Sequence, residues 1–160
     1  MTTRNVPSTA AEHLHVLSEL EHLLQERGCP ACRHIEEAER SFCSWFQIES
    51  FTTVEMQTRL RAAMGMCAAH VYRLIEGAGE GHLMTTVMRH TVSGARERLG
   101  GETLHGECPA CEAVRFATER AIQLVFGGLL DPAHARLYAQ HTGMCVPHVL
   151  QASRIAEPSI

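Results

Sequence analysis

The chain has 160 residues, 45% hydrophobic, 20% charged and only 5% aromatic, with a formal net charge of −4. That balance belongs to a globular chain rather than a disordered one, and no run approaches the roughly 20 apolar residues of a membrane-spanning helix. The acidic balance, with no basic stretch larger than "GARERLG", argues against a nucleic-acid partner.

Taken from the start, residues 1–7 are expected to be disordered. "MTTRNVPSTAAEHLHVL" lacks the uninterrupted apolar stretch of a secretion signal, so a cytoplasmic location without membrane contact is expected. A helix is predicted over Ser8–Arg27: Thr9 and Glu12 form a capping box, Leu14, Leu17, Leu20 and Leu24 recur at helical spacing, and Gly28 ends it. Cys29-Pro30-Ala31-Cys32 then opens a helix to Ile48, with the proline in the first turn, where its missing N–H costs nothing. Ile35, Ala38, Phe42, Trp45 and Phe46 share one face of it. Thr52 and Glu55 read as a second capping box, starting a helix to Met64 that Gly65 stops. Cys67–Ile75 forms a fourth helix, and a glycine-rich linker covers residues 77–81.

The same plan follows again. His82–Leu99 is amphipathic through Met84, Val87, Met88, Thr91, Ala95 and Leu99, and "GGETLHGE" is a loop. Cys108-Pro109-Ala110-Cys111 opens a helix to Phe126. Asp131 and Pro132 occupy the N-cap and first position of the next, Gly143 stops it, and Cys145 opens the last. A shift of 79 lays Ile35 on Val114, Ala38 on Ala117, Phe42 on Ala121, Trp45 on Leu124 and Phe46 on Val125. A shift of 78 lays Gly65-Met66-Cys67 on Gly143-Met144-Cys145 and His70 on His148. The expectation is an all-α tandem repeat: two similar four-helix units, residues 8–76 and 82–155, related by a pseudo-twofold axis and packed together as one body.

The repeated phrases carry the chemistry. Each repeat holds a Cys-x-x-Cys and, some 35 residues later, a Cys-x-x-His. The seven cysteines of a cytosolic chain point to metal or redox work rather than disulfides. Three thiolates and one imidazole make a closed tetrahedral zinc set, and Cys-x-x-His on a helix puts both ligands on one face. Each unit is therefore expected to be stapled by its own Cys3His site, Cys29, Cys32, Cys67 and His70 in the first and Cys108, Cys111, Cys145 and His148 in the second. Both ligand pairs of a set sit at predicted helix N-termini, where free N–H groups and the dipole favour thiolate. Two zinc ions are the expected cofactors; iron–sulfur clusters use similar cysteine-rich sets and remain the alternative. Haem attachment is excluded, because Arg33 and Glu112 stand where its histidine would be, and the Pro-Cys-x-x-Cys of a zinc deaminase is not matched, because Pro30 and Pro109 lie inside the motif.

"GCPACRHIEEAERSF" followed by "GMCAAHVYRLIE" resembles an uncharacterised bacterial family whose members carry a CPxC motif, a helical spacer and a GxCxxH motif, sometimes twice. The resemblance spans about residues 28–153. It implies a helical metal-binding protein and brings no activity with it.

Other residues have plainer readings. Cys43 aligns with Ile122 and is expected in the core or at its boundary. Glu19-x-x-His22 and Glu102-x-x-His105 spell a di-iron phrase by chance. His82, His90, His134 and His141 are expected to be solvent-exposed rather than lining a pocket. Glu36 and Glu37 are the general-base candidates of a zinc-enzyme reading, and Arg115 and Phe116 stand in their place in the second repeat. The leading expectation is a small cytosolic helical protein with two structural zinc sites, acting in interaction or regulation through an unidentified protein partner. An iron–sulfur or thiol redox protein is the alternative, and a zinc enzyme stands behind both. Oligomeric state is left open.

Overall fold

The structure, a computed structural model, describes residues 10–25, 27–77, 81–101, 103, 105–141 and 143–156, excluding the side chains of 10–17, 77, 81–82 and 155–156. The expected disordered residues 1–7, the Thr9–Glu12 capping box, the middle of the 77–81 linker, the His82 side chain and Glu102 lie outside the described residues. The chain is all-helical, with no strand among the described residues. Its helices are α1 (Ala10–Gln25), α2 (Pro30–Ile48), α3 (Val54–Ala62), α4 (Ala68–Gly77), α5 (Gly81–Leu99), α6 (Pro109–Gly128), α7 (Pro132–Gln140) and α8 (Val146–Ala156). A 3-10 turn, Ser50–Thr52, precedes α3. None of the described helices is long and apolar enough to cross a membrane.

Local details differ from the sequence reading: α3 ends at Ala62, two residues before Met64, and α4 and α6 run on to Gly77 and Gly128. The N-cap of α3 is Thr53, whose hydroxyl accepts from the Met56 N–H at 3.3 Å, because Thr52 is consumed by the 3-10 turn. Trp45, placed on the apolar face of α2, is 45% exposed and meets Phe42 edge-on at 6.0 Å between ring centroids. Asp131 caps α7 as expected, its carboxylate accepting from the N–H groups of Ala133 (2.8 Å) and His134 (3.2 Å).

The chain divides into two compact units that are not the sequence repeats. One comprises residues 1–35 with 117–160, the other residues 36–116. The division expected from the repeats, 8–76 and 82–155, thus gives way to one in which α2 and α6 each contribute to both units. Each of these helices carries its CPxC motif in one unit and its distal turns in the other.

The 36–116 unit is built on Phe42, Phe46, Phe51, Met56, Leu60, Leu74, Leu83 and Val87, with Ala110 from the first turn of α6. Phe42 and Phe46 stack at 6.0 Å, and Phe51 meets Phe46 at 6.4 Å. Helix α3 packs along α5. Gly94 makes their close approach possible, since a Cβ there would collide with the Arg61 carbonyl oxygen. An Arg61–Glu97 ion pair of 3.0 Å ties the same two helices. In the other unit Leu20, Leu24 and Val125 form the buried centre, against which Leu129, Leu137, Tyr138 and Met144 pack. Arg120 grips Glu19 through two hydrogen bonds of 2.5 and 3.1 Å, so Glu19 serves an ion pair. Arg33, just past the first CPxC motif, donates to the Leu23 carbonyl at 2.6 Å and so satisfies the C-terminal end of α1.

Candidate metal centres

Four cysteines stand at the mouths of four helices. Cys29, Cys67, Cys108 and Cys145 each precede the first residue of α2, α4, α6 and α8. Their carbonyls accept the first helical bonds, from Arg33 (3.2 Å), Val71 (3.0 Å), Glu112 (3.0 Å) and Val149 (3.0 Å) respectively. Gly65 and Gly143, at φ +95° and +75°, turn the chain out of the preceding element into the two Met-Cys steps. The side chain three residues into each helix, Cys32, His70, Cys111 or His148, falls on the face of the leading cysteine. Local sequence thus accounts for all four ligand pairs.

The pairs then combine in a way the sequence order does not suggest. Cys29 and Cys32 meet Cys145 and His148, and Cys108 and Cys111 meet Cys67 and His70; within each quartet all donor atoms lie within 4.8 Å of one another. The expected within-repeat sets, Cys29–Cys32–Cys67–His70 and Cys108–Cys111–Cys145–His148, are corrected accordingly. All eight residues converge, but each CPxC takes its CxxH from the other repeat. One quartet lies wholly in the unit of residues 1–35 and 117–160, and the other wholly in the unit of residues 36–116.

The two geometries match closely. Cys145 Sγ lies 3.1 Å from His148 Nδ1, as Cys67 Sγ does from His70 Nδ1. His148 Nδ1 is 3.5 Å from both Cys29 and Cys32, and Cys32 is 3.7 Å from Cys145. His70 Nδ1 is 3.4 Å from Cys111 and 3.6 Å from Cys108, and Cys67 is 3.6 Å from Cys111. No pair is bonded: all seven cysteines are free thiols, and a disulfide would need sulfurs at about 2.05 Å.

Charge makes such a set demand a cation. In the first quartet burial opposes ionisation of Cys29, yet the N–H groups of Cys145 and Cys32 and the side chains of His148 and Cys145 outweigh it and bring the thiol down to about 6. Cys32 is pushed up to about 12 by burial, by its hydrogen bonds to Cys145 and Cys29, and by the neighbouring charge. The second quartet repeats the pattern. Cys67 is lowered, with the His70 N–H chief among the groups that overcome burial, while Cys111 is driven up to about 12 by burial and its thiol neighbours. Without a positive ion one sulfur of a quartet ionises readily and the next resists, whereas a divalent cation stabilises several thiolates at once. The donor chemistry therefore fits a metal ion in each quartet.

Glu39, a residue missed by the sequence reading, adjoins one centre. Its Oε1 is 3.5 Å from His70 Nε2, the ring nitrogen that faces away from the sulfurs, and 3.5 Å from Arg73 Nε. It lies seven residues after Cys32, which belongs to the other quartet, so its spacing gave no signal of the contact with His70. Glu36 and Glu37, the residues weighed as bases, are exposed. Cys43 is half-buried against the 36–116 core, its thiol pushed up by burial and by Glu39, in line with a boundary role. His134 is buried rather than exposed, its Nδ1 held 3.0 Å from Asp131, because α7 packs on α1 there. His90 and His141 are half-buried.

Comparison with protein-family models, with curated proteins and with solved structures gives no match to this chain. The resemblance to the bacterial CPxC…GxCxxH family rests on the motif pair itself.

Proposed function

We propose that the protein binds two zinc ions, one in each crossed quartet, and that they act structurally in a helical protein of interaction or regulation. The observation that carries this is the size of the quartets. Zinc with bonds of about 2.3 Å to sulfur and 2.05 Å to nitrogen has tetrahedral edges of roughly 3.8 Å (S–S) and 3.5 Å (S–N). In each quartet four of the six donor–donor spacings run from 3.1 to 3.7 Å, and none exceeds 4.8 Å. A [4Fe–4S] cluster spreads its ligands over different irons, and a [2Fe–2S] cluster places two on each, so both need wider quartets. Four protein donors also leave no open position for a substrate or an activated water, which favours a structural role over an enzymatic one.

Each ion would join two helix starts from distant parts of the chain, and its binding free energy becomes folding free energy. The duplication read in the sequence, with the pseudo-twofold relation expected of it, belongs to this reading and is supported by the reciprocal exchange of motifs. So do a bacterial source, carried by the motif resemblance, and a reducing cytoplasm, where unpaired thiols persist. Elemental analysis of protein purified without added metal, with its absorption spectrum, tests the reading. A colourless protein with two zinc ions per chain is expected. A brown protein with visible absorption and stoichiometric iron would replace zinc with the iron–sulfur alternative.

A further inference from the structure

The two quartets share their donors and edge lengths but not their surroundings. His70 is buried, at 7% exposure, whereas His148 is half-buried. His70 Nδ1 faces the three sulfurs and its Nε2 faces the Glu39 carboxylate, whose Oε1, 3.5 Å away, also lies 3.5 Å from Arg73 Nε. An imidazole that binds a metal through Nδ1 must carry its proton on Nε2. A carboxylate at that proton fixes the tautomer and ring orientation and raises the basicity of the ligating nitrogen. The register position of Glu39 in the second repeat, seven residues after Cys111, is Thr118, which carries no charge.

We propose that Glu39 is a positioning residue that makes the two centres unequal. It holds the centre of Cys67, His70, Cys108 and Cys111 as the retained metal site. The centre of Cys29, Cys32, Cys145 and His148 is left as the exchangeable one, from which metal passes to a competing ligand. This inference rests on the zinc reading above and adds regulation to it: both ions tie helix starts together, but the second is the first to leave when a competing ligand is present.

The test uses the full chain loaded with two zinc ions and mixed with an excess of a chromophoric chelator. Release is expected in two phases of one equivalent each. Cys145→Ser should abolish the fast phase and keep the slow one. Glu39→Gln should accelerate the slow phase about 10- to 100-fold, the usual cost of losing such a partner, and leave the fast phase unchanged; Glu39→Asp should restore part of the retention. A general loss of structure would accelerate both phases together and overturn the assignment, as would an unchanged slow phase in Glu39→Gln. Cadmium-113 NMR gives a second reading: two resonances for the loaded chain, of which Glu39→Gln shifts one. Both shifting, or neither, overturns the inference. A chain that takes up no metal sinks the zinc reading as well, whereas two bound ions indifferent to Glu39 sink this inference alone.

Discussion

Substituting cysteines in pairs reveals which motifs share an ion. Cys32 lies 3.7 Å from Cys145 and in a different quartet from Cys67. Cys32→Ser should therefore cost one of the two metal equivalents, as should Cys145→Ser or Cys67→Ser alone. Cys32→Ser with Cys145→Ser damages one quartet twice and should still leave one equivalent. Cys32→Ser with Cys67→Ser damages both and should leave none. Stability should follow the same logic. Structural zinc contributes about 10–16 kcal/mol of apparent binding free energy in small metal-folded units. The Cys32 and Cys145 losses should thus be strongly non-additive, and those of Cys32 and Cys67 close to additive. Metal content by mass spectrometry after gel filtration, with urea unfolding of the same samples, reads both. The crossed arrangement is refuted if the Cys32/Cys145 variant is empty while the Cys32/Cys67 variant retains one ion.

Acid should strip the metal. Cys32 and Cys111, at about 12, are protonated in the metal-free quartets at neutral pH, so zinc must displace those protons and its affinity should weaken at least tenfold per pH unit as pH falls. Cys29, held near 6, has lost its proton above that value, so it adds to the slope only below about pH 6; chelator competition between pH 5.5 and 8, on the order of a pKa unit either side of neutrality, would show a flat profile if thiolates were not the donors. Phe46→Ala, at a fully buried site between Phe42 and Phe51, should cost about 3–5 kcal/mol in urea unfolding. Gly94→Ala forces a methyl group onto the Arg61 carbonyl and should destabilise by about 1–3 kcal/mol, whereas Gly127→Ala, in open space on α6, should stabilise by about 0.5–1 kcal/mol. Equal thermal shifts for the two glycine variants would contradict the packing of α3 on α5.

The helices were legible because their signals are local. Leucine spacing, prolines inside the CPxC turns, Asp131 at an N-cap and glycines at the Met-Cys steps each act within a few residues. Helix ends drifted by about two residues, α3 stopping at Ala62 and α6 running on to Gly128, because the last turn is weakly specified, and α3 starts a residue late because Thr53 rather than Thr52 caps it. Burial was harder to read. Trp45 and Phe46 are adjacent on the face of one helix, yet only the second is enclosed, since enclosure depends on what arrives from elsewhere in the chain. Glu39 and His134 went unrecognised for the same reason: their partners, His70 for one and the α1–α7 contact for the other, are set by packing.

The residue types and their i, i+3 spacing decided by themselves that four ligand pairs would open four helices. They could not decide which pairs meet, because either combination supplies three sulfurs and one imidazole. Chain entropy barely discriminates: joining Cys32 to Cys145 across 113 residues instead of to Cys67 across 35 costs only about 1 kcal/mol more in loop closure. What decides is the rigidity and packing of α2. Glu39 of this helix stands beside His70, and Cys32 lies seven residues, about 10 Å, back along the axis, so packing α2 through Phe42 and Phe46 keeps its own CPxC motif off Cys67. The metal-binding pairs of the other repeat fill the vacant half of each quartet.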